Sequence, residues 1–506
     1  MSPSPGAPRR PRLGALILSC ALCVLPSQSP AKELILLSTV RGFYNTALLE
    51  LADMYMERHP DVEVEINIQP DNFSILRYYT AQMAADRSSA PDIVHGNLLG
   101  IEKNFHLGRF LAVNEYLDLP NPYADNVIWR EIFDETFLKV FAVDGIYYCV
   151  LPLDYLDVAV YYNREIFDRF GLSPPQSWEE WLRLCVFLKD NGVIPIAVAA
   201  TMQADISSWF STMFEDAALR HFIPLVIARP GDWNYVEANS AYVHDLDDRH
   251  ADQLITINPE RLAKAFLDGD ISYEMPVFVE AYTAFQDLTR SYALGHLGTD
   301  QTGAYHLFLT QKAAMWLIGS WRVGSLMRDL ASLPEPKRFG WSVFPVPSLA
   351  HSESRLGPLR GLGGAGHQMC IVNKNDPAHH DRVIDFMMFL YSPEQSAYLI
   401  RRTLEVGEFI QGAPMIKGAR EQLSGEILEK LSGFGGQGYC KLEMIPNRDD
   451  NEAQAYLRPL TQLFSLRRLT PEEFLRQKQE LTLKMLRRQV RERGYDLDPT
   501  TEERVQ

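Results

Sequence analysis

The chain has 506 residues, 46% of them hydrophobic and 23% charged, a balance that fits a soluble protein with too much chain for one ordinary core. Its formal charge of −16 disfavours nucleic acid and anionic membrane as partners. The cysteines beyond residue 31 (Cys149, Cys185, Cys370 and Cys440) form no CxxC pair, so neither a zinc motif nor a dithiol redox motif is indicated.

The N-terminus is a different material. Arg9, Arg10 and Arg12 precede an apolar stretch from Leu13 to Leu25, and Ser29-Pro30-Ala31 offers small residues for a cleavage site. Residues 1–31 are therefore expected to be a signal peptide, because a membrane span needs ~20 apolar residues. Acylation at Cys20 or Cys23 would give a lipoprotein, but Ile17-Leu18-Ser19 and Leu22 fit a lipobox poorly. A mature chain starting at Lys32 loses three arginines and no acids, moving the charge from −16 to −19. The expected location is periplasmic or extracellular. That compartment permits a disulfide between Cys149 and Cys370, although their spacing does not demand one.

Residues 33–38 (ELILLS) read as a buried strand, and Leu48, Leu51, Ala52 and Tyr55 then recur at helical spacing. Val62, Val64, Ile66 and Ile68 alternate with polar residues, which predicts a strand with one buried face. Strand, helix and strand in this order make a βαβ unit with a right-handed crossover. A helix over 75–85 and a short strand at Pro91-Asp92-Ile93-Val94 follow. Asp144-Gly145, between Val140-Phe141-Ala142 and Ile146-Tyr147-Tyr148, is a hairpin signal.

The stretch from Tyr155 to Ala197 is the most heavily punctuated. Val158 to Tyr162 predicts a strand, with Asn163 capping a short helix. After Pro174-Pro175, Ser177 and Glu180 have the spacing of a capping box. Trp178, Trp181, Leu182, Cys185 and Leu188 then share one helical face, and Gly192 stands where the helix end favours positive φ. Residues 229–254 are polar, with Asp245, Asp247, Asp248 and Asp252. They lack the glycine and terminal glutamate of a calcium loop, so a solvated insertion is expected. Ser392-Pro393-Glu394-Gln395 and Thr470-Pro471-Glu472-Glu473 each predict a capped helix start. The last helix carries Lys484, Arg487, Arg488, Arg491 and Arg493, read as a solvated face.

The order of these signals resembles the bacterial extracellular solute-binding proteins that feed sugar ABC importers, of the maltose-binding-protein-like family 1. The segments that carry it are "YYN … Gly-Leu … Pro-Pro … Ser-Trp-Glu-Glu-Trp", Ala90-Pro91-Asp92-Ile93-Val94, Gly108 to Leu111, Phe308 to Trp321, Gly340 to Pro347 and Leu362 to His367. Gln311 replaces the glycine usual in the fourth of these, and His95-Gly96-Asn97 stands where relatives often have Trp and Asp.

The resemblance implies an α/β, two-lobed periplasmic-binding-protein-like (type II) fold with three hinge crossings. The implied division is 32–150 and 348–410 for the N-terminal lobe, and 151–347 and 411–506 for the C-terminal lobe. It also implies a monomeric receptor that closes around a small carbohydrate solute, needs no cofactor or metal, and presents its ligand to ABC permease subunits. Ligand contacts are expected from Arg41 and Asn97 in the first lobe, Asp154 and Tyr155 past the first crossing, and Trp209 and Trp321 as stacking aromatics. Gly364 would admit close backbone approach, and Arg448 and Asp449 would reach in from the second lobe. Trp178 and Trp181 are expected in the core.

Two other readings are open. The same fold could sense a solute or carry a non-sugar ligand. A secreted carbohydrate-active enzyme is the third reading, since an acidic chain offers many carboxylate pairs. Against catalysis, the sequence has no GxSxG, no HExxH, no P-loop and no dinucleotide fingerprint after a strand.

Overall fold

The computed structural model describes residues 32–201, 204–349, 355–431, 433–434, 437–448 and 450–498, so the expected signal peptide and Asp449 lie outside the described residues. The first lobe grows from β1 (Glu33–Val40), α1 (Asn45–Arg58), β2 (Val62–Gln69), α2 (Asn72–Ala85) and β3 (Ile93–His95), with α3 (Ile101–His106) beside them. β1 pairs in parallel with β2 along its whole length and with β3 through Leu37 and Ser38. In β2, Val62 and Val64 are buried while Glu63 and Glu65 are exposed, which is the alternation of a half-buried strand. Later chain completes this sheet, since β13 (Gln368–Ile371) runs antiparallel to β3 and also pairs with β4 (Leu151–Pro152).

The second lobe has its own sheet, in the order β11-β6-β10-β7. These strands are Trp341–Phe344, Val158–Asn163, Ala313–Gly319 and Ile194–Ala197. β10 is buried at every position, with Trp316 packed on Tyr161 and Phe308 at ring separations of 5.4 and 5.8 Å. The predicted punctuation of this lobe is largely present. Asn163 Oδ1 accepts from Ile166 N at 3.0 Å, and Gly192 has φ 76°. Trp178 and Trp181 are core residues, 3% and 0% exposed.

The capping boxes expected at Ser177 and Ser392 are exceptions, and Ser392 Oγ accepts from Gln395 N without a reciprocal bond from the Gln395 side chain, which turns to Glu394. Ser177 Oγ accepts from Glu180 N, but the Glu180 carboxylate reaches back to Gln176 N, one residue before the cap. Thr470 and Glu473 make the full reciprocal pair.

The two lobes meet in a three-stranded sheet of order β12-β5-β14, formed by Gly364–Ala365, Asp154–Leu156 and Ala413–Pro414. A further short hairpin, β8 (Ala200–Thr201) with β9 (Ala204–Asp205), stands at the edge of the second lobe.

Near the expected crossing at 347–348, Ser348 accepts from Trp178 and Arg249, and Arg360 binds Asp216. After β14 the chain turns back onto the first lobe, where Lys417 N donates to Ile132 O at 2.7 Å. It joins the second lobe only with the helix Gly425–Leu431, through the pair Arg164–Glu429 and the bond from Lys430 Nζ to Trp341 O.

The expected insertion is solvated only in its middle. Its ends are anchored by buried Asn234, Asn239, Asp252 and Gln253. Cys149, Cys185, Cys370 and Cys440 are free and buried, so the bridge between Cys149 and Cys370 is not formed.

Candidate functional site

In open α/β sheets, ligands collect at the carboxyl ends of the strands. β1 ends at Arg41 and β3 leads into Asn97, both exposed on the first lobe. β10 of the second lobe ends at Gly319 and turns through Ser320 into Trp321. Ser320 fastens that turn to the hinge, because its N–H donates to Asp157 O and its hydroxyl to Gln411 O, at 2.9 and 2.5 Å. Both lobes therefore turn strand ends toward the hinge.

Two of the expected aromatics come together there. Trp209 lies in the first turn of the helix Ile206–Leu219, and its ring meets that of Trp321 at 6.1 Å with 71° between the planes. Trp209 is 50% exposed, an uncommon state for so large an apolar ring, so the pair presents an open aromatic corner. Gly319 sets the position of one wall. A Cβ built there would lie 1.7 Å from the Trp321 ring, so the indole covers backbone that only glycine leaves free. Arg322, next in the chain, stands over the Tyr305 ring at 5.9 Å and donates to Gln301 Oε1 at 3.1 Å.

Asp154, Tyr155 and Gly364, three of the expected ligand contacts, pack within the hinge. Asp154 is fully buried and accepts from Tyr44 OH and from the backbone N–H groups of His367, Gln411 and Gly412. All three crossing segments thus converge on one carboxylate. Burial pushes its pKa up to about 6, although each of those donors pulls it down.

Tyr155 is 5% exposed; its ring packs on Phe137 and Tyr439, and its hydroxyl donates to Phe434 O at 3.3 Å. Gly364 faces the hinge strand, since a Cβ there would come within 2.4 Å of Leu156. Gly361 and Gly366 serve the same close approach against Asp157 and Asp154. Arg448 is exposed at the start of the C-terminal segment.

Sequence reasoning missed the polar residues beneath the first lobe's loops. The His95 and His367 rings stack at 4.2 Å with 15° between planes, and His367 Nε2 meets Thr39 Oγ1 at 2.6 Å. Burial pushes His95 down to about 4, and burial with His95 alongside pushes His367 well below its usual range. Only the unusual His95 at the end of β3 signalled them.

These shifts have a sign. A histidine kept neutral in the fold adds stability that is complete above its unfolded pKa near 6.5 and is lost as pH falls toward the folded value. Asp154 works in the opposite sense, since its raised pKa favours the fold as pH falls through about 6. Two histidines outweigh one carboxyl, so stability is expected to fall between pH 6.5 and about 4. Denaturant melts across that range should show His95→Leu reducing the slope by up to one proton, about 1.4 kcal/mol per pH unit.

Two lobes, a sheet of crossing strands and an aromatic corner at the strand ends define a ligand-capturing protein of the two-lobed binding class. The sequence matches the family model described as bacterial extracellular solute-binding protein over residues 44–397, and the chain belongs to that family. No curated protein matches it.

Solved structures share the fold at low identity. A chitin oligosaccharide binding protein is 18% identical, with TM-score 0.59 over 90% of this chain and 99% of its own. The apo form of RafE from Streptococcus pneumoniae is 15% identical, with TM-score 0.61 over 91% and 100%. A cyclic alpha-maltosyl-1,6-maltose binding protein from Arthrobacter globiformis is 15% identical, with TM-score 0.58 over 90% and 100%. Among the described residues, no helix is long and apolar enough to cross a membrane.

Proposed function

We propose that this protein is an exported receptor that captures a carbohydrate between its lobes and hands it to the permease of an ABC importer. The Trp209–Trp321 corner carries the reading. Flat indole faces suit the apolar side of a pyranose, and the similar structures named above include binders of chitin oligosaccharide and of a cyclic maltosaccharide. Arg41 and Asn97 from the first lobe, with Arg448 and Asp449 from the second, are the polar groups proposed to meet the sugar hydroxyls. The mechanism is hinge closure: contacts from both lobes to one solute exist together only in the closed form, so binding shifts the population toward it. The closed pair of lobes then forms the surface for the permease, and the receptor acts as a monomer that leaves its ligand chemically unchanged.

A thermal-shift panel of mono- and oligosaccharides, polyols and amino acids tests this. A true ligand at ~100 times its Kd adds about 2.7 kcal/mol of stability. One saccharide should raise Tm and be recovered intact. Trp209→Ala and Trp321→Ala should each weaken it at least tenfold, about 1.4 kcal/mol, as should Gly319→Ala by displacing the ring. A response to amino acids alone would favour a non-sugar carrier. Consumption of the saccharide would favour an enzyme.

A further inference from the structure

Away from the hinge, three side chains that can bind a metal converge on one point of the first lobe. Glu102 and His106 are four residues apart on α3 and so share a helical face. Asp144 comes from the hairpin turn, where it has φ 54° beside Gly145 at φ 74°. One ligand atom from each lies within 4.8 Å of the other two, and His106 Nε2 is 3.3 Å from Asp144 Oδ2. Two ligands bound to zinc at ~2.0–2.1 Å in a tetrahedron stand roughly 3.3 Å apart, so the His106–Asp144 edge already has the required length. Glu102, on a flexible stem, has only to swing inward.

A cation is already drawn to this point. Arg493, at the end of the last helix, pairs with Glu102. That helix packs on second-lobe helices, including Pro259–Asp268 and Pro276–Leu288, so the guanidinium arrives from the other lobe.

We propose that Glu102, His106 and Asp144 form a divalent transition-metal site, with zinc the best match to one imidazole and two carboxylates, and that the metal competes with Arg493 for Glu102. Metal binding would then release an ion pair that joins the lobes. The site is separate from the aromatic corner, and the proposal stands or falls independently of the solute.

The test is a calorimetric titration of Zn²⁺ into the untagged protein, alongside His106→Ala, Glu102→Gln and Arg493→Ala, with the fold of each checked by circular dichroism. Glu102, His106 and Arg493 are each at least 40% exposed at the side chain, so these variants leave the core intact. The expected result is one site per chain, weakened at least tenfold in His106→Ala and in Glu102→Gln, and tightened several-fold in Arg493→Ala. No saturable binding, or binding unchanged in His106→Ala, overturns the site. Equal affinity in Arg493→Ala overturns the competition.

Discussion

Arg360→Ala is expected to lower stability by about 3–5 kcal/mol, the loss that follows when one partner of a buried ion pair is removed. The Arg360 guanidinium is completely buried and grips Asp216 with two parallel bonds of 2.9 and 2.6 Å, while its remaining nitrogen binds Asp252. Asp252 also accepts from Arg220 at 3.1 Å, and Arg220 binds the carbonyls of Leu246, Asp245 and Asp248. Burial would raise the Asp252 pKa, but the surrounding cations, Arg360 foremost, hold it down at about 2.

Alanine at 360 leaves the buried Asp216 carboxyl without its bidentate partner and removes one of the two arginines paired with Asp252. Because this network anchors one end of the 229–254 segment, the same variant should expose that segment to limited proteolysis. A partner variant separates charge from packing: Arg360→Leu with Asp216→Leu removes the stranded carboxylate and should be less destabilised than Arg360→Leu alone. Thermal melts of the three proteins check the order, and equal Tm for single and wild type would remove the network from the account of this fold.

The elements and their order were legible because their signals are local. The alternation in β2, the Asn163 cap, the Gly192 helix end and the Asp144-Gly145 turn each follow from a few neighbouring residues, and the structure contains them all. Trp321 was expected at the cleft from its place in the resemblance, but that its ring meets Trp209 is a fact of tertiary structure.

Asp154 could not be read in this way. Its donors come from residues 44, 367, 411 and 412, far apart in the chain, and nothing near it in sequence shows that a carboxylate on a crossing strand will be enclosed. Gly364 was expected to admit a close backbone approach, and Gly361 and Gly366 beside it do the same. What they approach is the hinge strand β5 and its flanking carboxylates. The anchored ends of the insertion were hidden for the same reason, because Arg220 and Arg360 find Asp252 only when the lobe is assembled.

The hinge gives the second large expectation. Asp154→Asn replaces one acceptor oxygen by an amide NH2 in a site whose four partners all donate, so at least one buried N–H or O–H loses its acceptor and faces another donor. Each buried donor left unsatisfied costs about 1–3 kcal/mol, and a total of about 2–4 kcal/mol is expected. Alanine removes every acceptor and should cost more, whereas a merely solvated aspartate would show neither effect.

The consequence for function follows from which segments are joined. The crossings at 154, 366–367 and 411–412 share this carboxylate with Tyr44, which belongs to the first lobe, so the hinge bends around a point fixed to that lobe. Loosening it should broaden the distribution of interlobe distances measured between one spin label on each lobe, without ligand. Solute affinity should fall with it, since the two sets of contacts are then less well aligned on closure. The neutral side chain also abolishes the contribution that Asp154 makes as pH falls through about 6, so the variant should lose stability more steeply on acidification than the wild type. An unchanged distance distribution in Asp154→Asn, with the fold intact, would show that the three crossing strands alone define the axis.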